Sequence, residues 1–192
     1  MTILKTSLVM LLLTLVMACS NTPPVERHHY SLPISGEMPS AKTDGSAKLL
    51  QIHNVQLADF LDTGSLVLQM DDITLNQAKN HLWAEDLRQQ INYGLRVRLN
   101  QMQQQIIAVS PSTKGQWQLT LEINDFQGRF DGYALTSGQW QLRDAKNEIV
   151  QFQSFSFQSP LQTTGYPAMV RALGNNLDQL AKQLSDAISS LE

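Results

Sequence analysis

The sequence predicts an α+β fold, an antiparallel sheet with two long helices packed on one face. Two observations carry that expectation. Apolar and polar residues alternate in separate runs at residues 49–53, 66–70, 117–123, 133–142 and 149–157, the period of a half-buried strand. Apolar residues recur at spacings of 3 and 4 in two longer stretches, residues 77–103 and 168–191, the period of an amphipathic helix. The order is strand-strand-helix-strand-strand-strand-helix, which gives layered helices on a sheet.

The chain opens on a signal peptide, residues 1–18. Lys5 supplies a short cationic region, an apolar stretch runs from Leu8 to Met17, and small Ala18 precedes the cut. Cys19, the one cysteine in the chain, follows directly. Val16-Met17-Ala18-Cys19 resembles the bacterial lipobox, usually Leu-(Ala/Ser)-(Gly/Ala)-Cys; Met17 departs from the small residue favoured there. The segment therefore reads as a lipoprotein signal cut between Ala18 and Cys19, with diacylglyceryl on the thiol and an acyl chain on the new amine. An uncleaved membrane span needs roughly 17–25 apolar residues, more than this run offers. An ordinary secretory signal with an incidental cysteine is the remaining alternative. Each buried methylene contributes about 0.8 kcal/mol and one chain binds only marginally, so three chains on one residue make a lasting anchor.

Removal of the first 18 of 192 residues leaves 174, suited to one domain, expected at residues 49–192. Apolar residues make up 42% of the sequence, enough for a core. Net charge is −3, and −4 once Lys5 is lost with the signal. No basic face points to nucleic acid or to anionic lipid. With one cysteine no intramolecular disulfide forms, so packing alone stabilises the fold.

Residues 19–48 read as a lipidated flexible linker. Pro23-Pro24, Pro33, Ser35-Gly36, Pro39-Ser40 and Asp44-Gly45-Ser46 supply turn and linker chemistry. About 25 such residues span roughly 25–30 Å on average, enough to hold a domain clear of the headgroups. Tyr30-Ser31-Leu32 interrupts the polar run as a short candidate strand against the domain.

Leu50 and Ile52 mark the first domain strand, Leu66, Leu68 and Met70 the second, with Asp62-Thr63-Gly64 turning the chain between them. Trp83, Leu87, Ile91, Leu95, Leu99 and Met102 form the stripe of the first helix, weakened at Gly94. Trp117, Leu119, Leu121 and Ile123 share one strand face. Tyr133, Leu135, Trp140 and Leu142 continue into a long strand with an expected kink at Gly138. Residues 144–147 make a hairpin loop, and the serines and glutamines of residues 149–157 imply one solvated face. Leu173, Leu177, Leu180, Leu184, Ala187 and Leu191 line the last helix, which packs on its own sheet or on a partner helix.

The search for chemistry finds no nucleophile-elbow, phosphate-loop or dinucleotide motif. His28 and His29 fall in the linker as solvated residues, and His53 and His81 have no partners at metal-ligand spacing. No catalytic residue, metal site or dissociable cofactor is expected. Asp71-Asp72 reads as a strand end capping a turn, against the alternative of an acid/base pair. Glu85-Asp86 suits the positive end of a helix dipole. Trp83 reads as core, with an interface anchor as the alternative.

Ordered motifs add a resemblance. Tyr30-Ser31-Leu32 follows the lipidated segment; Val55-Gln56-Leu57-Ala58-Asp59-Phe60-Leu61-Asp62 precedes a strand; Trp83-Ala84-Glu85-Asp86-Leu87 opens the central helix; a Leu/Ala-rich helix ends the chain. Together with the lipobox they resemble the PqiC family of ABC-type transport auxiliary lipoproteins. That family usually has Arg-Pro after Leu-Asp and a proline within the Trp-Ala-Glu block; here Thr63-Gly64 and Asp86 stand instead. The resemblance implies family-motif roles, structural or at an interface, for Tyr30, Leu32, Leu61, Asp62, Trp83, Ala84, Glu85 and Leu87. It implies partnership with a PqiB-like, periplasm-spanning MCE-domain protein and its inner-membrane partner, in lipid movement between membranes and envelope integrity. Ser20, where Asp would signal inner-membrane retention, implies the periplasmic face of the outer membrane. A periplasmic lipid-binding carrier and an envelope hydrolase are the competing functions. A homo-oligomer is left open.

Overall fold

The computed structural model describes residues 25–34, 47–102 and 106–190. Ala18, Cys19 and Ser20 lie outside the described residues, as does Leu191. The elements are β1 (His28–Tyr30), β2 (Lys48–Leu57), a 3-10 turn (Asp59–Leu61), β3 (Ser65–Gln69), β4 (Leu75–Trp83), α1 (Leu87–Met102), β5 (Ile106–Val109), β6 (Trp117–Arg129), β7 (Tyr133–Arg143), β8 (Ile149–Pro160) and α2 (Tyr166–Ser189).

The long strand β6 organises one eight-stranded sheet. Its one edge carries β7 and then β8. Its other edge carries β2 along the first half and β3 near the end, with Leu68 opposite Gly128 and Gln69 opposite Arg129. β5 lies outside β2, while β4 and then β1 lie outside β3. Both helices pack against the sheet and against each other, so they cover the same face. The α+β class with two helices on one face is therefore as the sequence predicts.

Strand direction is not. The sheet is mixed: β6–β7, β7–β8 and β3–β4 are antiparallel, whereas β2–β6, β2–β5, β3–β6 and β1–β4 are parallel. Alternation fixes which face of a strand is buried and carries no information about direction. A hairpin, α1 and β5 separate β2 from β6, and a long crossover lets two strands run parallel.

The expected helix over residues 77–103 also needs correction. Residues 75–83 form β4, and α1 begins only at Leu87. Gln, Ala and Lys favour helix locally, and Trp83 stands four residues before Leu87, which extends the stripe falsely. Pairing of β4 with β3 on one side and β1 on the other overrides that preference. Asp86 then starts the helix: its Oδ1 accepts the Arg88 and Gln89 backbone N–H groups at 2.8 and 3.2 Å, as an N-cap does.

Two smaller corrections follow. The apolar run Ile106-Ile107-Ala108-Val109, unassigned by alternation, is strand β5. In β7 the buried face is Ala134, Thr136, Gly138, Trp140 and Leu142 without a change of phase, so Tyr133 and Leu135 point outward. Gly138 is required by close approach: a Cβ there would collide with the Glu122 carbonyl oxygen of β6.

The core lies between the sheet and the helices. Leu50, Ile52, Leu119, Leu121 and Ile123 from the sheet meet Ile91 and Leu95 of α1 and Leu173, Leu177, Leu180 and Leu184 of α2, all at 0% exposure. Complete removal of such side chains from water contributes about 1.5–3 kcal/mol each. Asn176, also fully buried, ties α2 to β7 by donating to the Ala134 carbonyl and the Thr136 hydroxyl at 3.0 and 3.1 Å.

Candidate functional site

β1 lies inside the span 19–48 expected as linker, and it is not free. It pairs in parallel with β4, His28 opposite His81 and Tyr30 opposite Trp83. The chain then crosses from the sheet edge to the helices as a strap, residues 28–34. The Tyr30 carbonyl accepts the Ala84 N–H at 2.8 Å. Buried Leu32 donates its N–H to Gln90 Oε1 at 2.8 Å. The Pro33 carbonyl accepts from Arg98 Nη2 at 2.9 Å. Arg98 is itself buried, pairs with Asp178 of α2 at 2.5 Å and donates to the Gly94 carbonyl at 3.1 Å. One guanidinium thus joins strap, α1 and α2. Gly174 lets the strap pass over α2, since a Cβ there would collide with the Pro33 ring.

Aromatic and imidazole rings fix the start of the strap. His81 stacks on Tyr166 at 3.9 Å between centroids and on His28 at 5.1 Å. Its Nδ1 lies 2.8 Å from the Tyr30 hydroxyl. Burial, and secondarily the neighbouring His28, hold the His81 pKa below the usual imidazole value. Burial and Tyr166 raise that of Tyr30. His28 is exposed, as expected, yet stacked.

The other motif residues sit around the corner between β4 and α1. Leu61 and Leu87 are core residues, and Trp83, 6% exposed, packs against Phe126 with ring centroids 6.0 Å apart. Ala84 and Glu85 are exposed in the turn. Asp62 forms a two-oxygen pair with Arg88, one contact at 2.6 Å. The hydrogen bond from Arg88 is the main reason the Asp62 carboxyl titrates below its usual range. Both side chains are more than a third exposed, so the pair adds little to stability. Asp71 Oδ1 accepts the Ile73 and Thr74 N–H groups at 2.9 and 2.7 Å, the turn-capping role expected of it.

Beside the strap lies a groove of about 670 Å³, bounded by residues 31–34, β2 and α1. Its walls are mixed: His53 and Asn54 on β2 and Arg88, Gln89 and Arg96 on α1 stand beside the apolar Leu32, Ile34, Val55 and Tyr93. Arg96 stacks over Tyr93 at 5.5 Å, and its buried Nε has no hydrogen-bond partner among the described residues. Sequence reading missed Gln90, Arg98 and Asn176; the available signal was a polar residue on an otherwise apolar helix face. Among the described residues, no three His, Cys, Asp or Glu side chains are grouped to hold a metal. Nor is any described helix long and apolar enough to cross a membrane.

The model of a family described as the ABC-type transport auxiliary lipoprotein component matches residues 30–185, from the strap into α2. The chain belongs to this family. The resemblance read from the ordered motifs is thereby borne out. Intermembrane transport lipoprotein PqiC of Escherichia coli (strain K12) is 27% identical over 168 residues, 87% of this chain and 89% of its own length. PqiC of Shigella flexneri matches equally. A crystal structure of an uncharacterised protein aligns with a TM-score of 0.74 at 25% identity, covering 85% of this chain and 99% of that one. A Xanthomonas campestris protein of known structure shares the fold at 16% identity, with a TM-score of 0.66 over 81% of this chain and 91% of its own. The auxiliary lipoprotein family is defined by transport rather than by catalysis. Its matched span begins at Tyr30 and so takes in residues 30–34 of the strap.

Proposed function

We propose that the protein is an outer-membrane lipoprotein, held by acyl chains on Cys19, that docks the periplasmic end of an MCE-type intermembrane lipid-transport system. It works through position and contact, without chemistry or a dissociable cofactor of its own, and in doing so supports envelope integrity. The observation that carries this reading is the family match over residues 30–185, joined to a likeness to PqiC across 87% of the chain. The lipobox supplies the anchor and Ser20 the release to the outer membrane.

The carrier reading fits less well. An acyl chain needs an apolar cavity. The layer between sheet and helices is filled by leucine and isoleucine side chains at 0% exposure, and the 670 Å³ groove places Arg88, Arg96, His53 and Asn54 beside Leu32, Ile34 and Val55. The two guanidinium groups in the groove weigh against an acyl chain lying along it.

Affinity capture of the full-length lipoprotein from solubilised envelopes tests the docking role. The expected result is co-purification of the MCE-domain protein. Capture of phospholipid alone, with the MCE protein present in the input, would favour the carrier instead.

A further inference from the structure

Three loops gather at one end of the sheet. The β3–β4 turn, residues 70–74, follows Gln69, which lies opposite Arg129 of β6. The β6–β7 turn follows that arginine, and residues 161–165 join it where the Leu161 N–H donates to the Gly132 carbonyl at 2.8 Å. This end exposes large apolar side chains: Ile73 at 87%, Phe130 at 59%, Met70 at 49%, Leu75 and Tyr133 at 41%. Single exposed apolar residues are ordinary, but three on two neighbouring turns, with Leu75 and Tyr133 at the strand starts that follow, mark a contact surface.

The route of the chain says what the surface meets. β1 runs parallel to β4, so the residues before His28 arrive from the side on which β4 begins, that of the β3–β4 turn. His81, opposite His28, stands six residues beyond Leu75, about 20 Å along the strand. Cys19 is nine residues before His28, a reach of at most roughly 30 Å. The pairing of β1 thus replaces the expected tether of about 25 residues by one of nine, directed toward the apolar end.

We propose that this end, led by Ile73 and Phe130, rests in the interface of a phospholipid membrane and orients the domain upright on it. The inference depends on acylation of Cys19. Charge selects the kind of surface. Arg129 is paired with Asp131 at 2.8 Å, the Asp71 carboxylate is engaged by its own turn, Asp72 remains, and residues 161–165 carry no charge. Without an excess of basic groups there is no attraction to anionic lipid. The surface therefore fits zwitterionic headgroups, with apolar side chains inserted at the headgroup and acyl boundary.

The test uses full-length, acylated protein in phosphatidylethanolamine/phosphatidylcholine vesicles containing nitroxide-labelled acyl chains. Because the Cys19 thiol is blocked, Ile73→Cys, Phe130→Cys and Phe152→Cys each offer one thiol for an environment-sensitive fluorophore. Phe152 is the control, equally apolar at 57% exposure but toward the other end of the sheet, opposite Gln141. Quenching is expected to be several-fold stronger at 73 and 130 than at 152. Adding Ile73→Asp, at a site too exposed to affect folding, should reduce quenching at 130. Equal quenching at all three positions, or none at 73 in acylated protein, overturns the proposal and leaves the anchor intact. A chain shown by mass spectrometry to lack acyl groups on Cys19 would refute the anchor and overturn the proposal with it. Quenching that appears only when other envelope proteins are added would assign the surface to a protein and overturn it.

Discussion

Helix α2 and the β1 strap are held to the same scaffold by opposite means. α2 buries Leu173, Leu177, Leu180, Ala181 and Leu184 completely against sheet and α1. The strap buries Leu32 and otherwise depends on directed polar contacts: Tyr30 with His81, Leu32 with Gln90, Pro33 with Arg98. A net hydrogen bond contributes about 0.5–1.5 kcal/mol, less than a fully buried leucine. The helix should therefore depend less on pH and salt than the strap, which is expected to open first. On the proposed anchoring, the strap is also the segment through which a pull on Cys19 would reach the domain. The helix is secured by apolar burial, and the strap by directed polar contacts of which one, Tyr30 with His81, joins titratable groups.

The largest expected effect tests the apolar side at the sheet. Trp83→Ala should destabilise the domain by about 3–5 kcal/mol in chemical denaturation, the range for truncating a buried Trp. A loss below about 1 kcal/mol with loss of partner binding would make Trp83 an interface residue instead. Leu177→Ala should cost about 2–5 kcal/mol globally, with strap and helix amides losing protection together. If the strap alone were released, the comparison would be broken.

Arg98→Ala should do the reverse. It removes the donor to Pro33 and the partner of Asp178, a loss of about 1.5–3 kcal/mol for charge-assisted bonds. Hydrogen exchange should accelerate at residues 28–34 more than in α2. Acidification sharpens the same contrast. His81 has its pKa depressed in the fold, so between the ordinary value near 6.5 and that lower one the unfolded chain binds more protons. Stability is fully present above 6.5 and falls as pH drops through the folded value. Exchange in the strap should rise over that window, and His28→Ala, which removes the neighbouring imidazole, should weaken the dependence. The smallest effect belongs to Asp62→Asn: the pair it breaks is exposed, so the denaturation midpoint should barely move, and less still in high salt.

Apolar patterning made the legible parts legible. The stripe from Leu87 to Leu99 and that from Leu173 to Leu184 place both helices, and alternation in residues 117–123 places β6. β4 was concealed because Gln77, Ala78 and Lys79 favour helix locally, and its strand state comes from β3 and β1 at long range. Parallel pairing of β2 with β6 leaves no mark on either strand. A short strand was legible at Tyr30-Ser31-Leu32 but lies two residues earlier, at His28–Tyr30, because the register is set by β4; the polar fastening of Leu32 and Pro33 was not legible, because Gln90 and Arg98 lie 58 and 65 residues from the strap atoms they bond.

The central claim is that the protein acts from a fixed position at the outer membrane. Ser20→Asp changes that position while leaving the described domain untouched. Detergent sensitivity, measured in a strain lacking redundant transport systems, reads the consequence once fractionation has verified retention at the inner membrane. The account predicts the sensitivity of a deletion strain at unchanged protein abundance. Full activity of the retained form would contradict it.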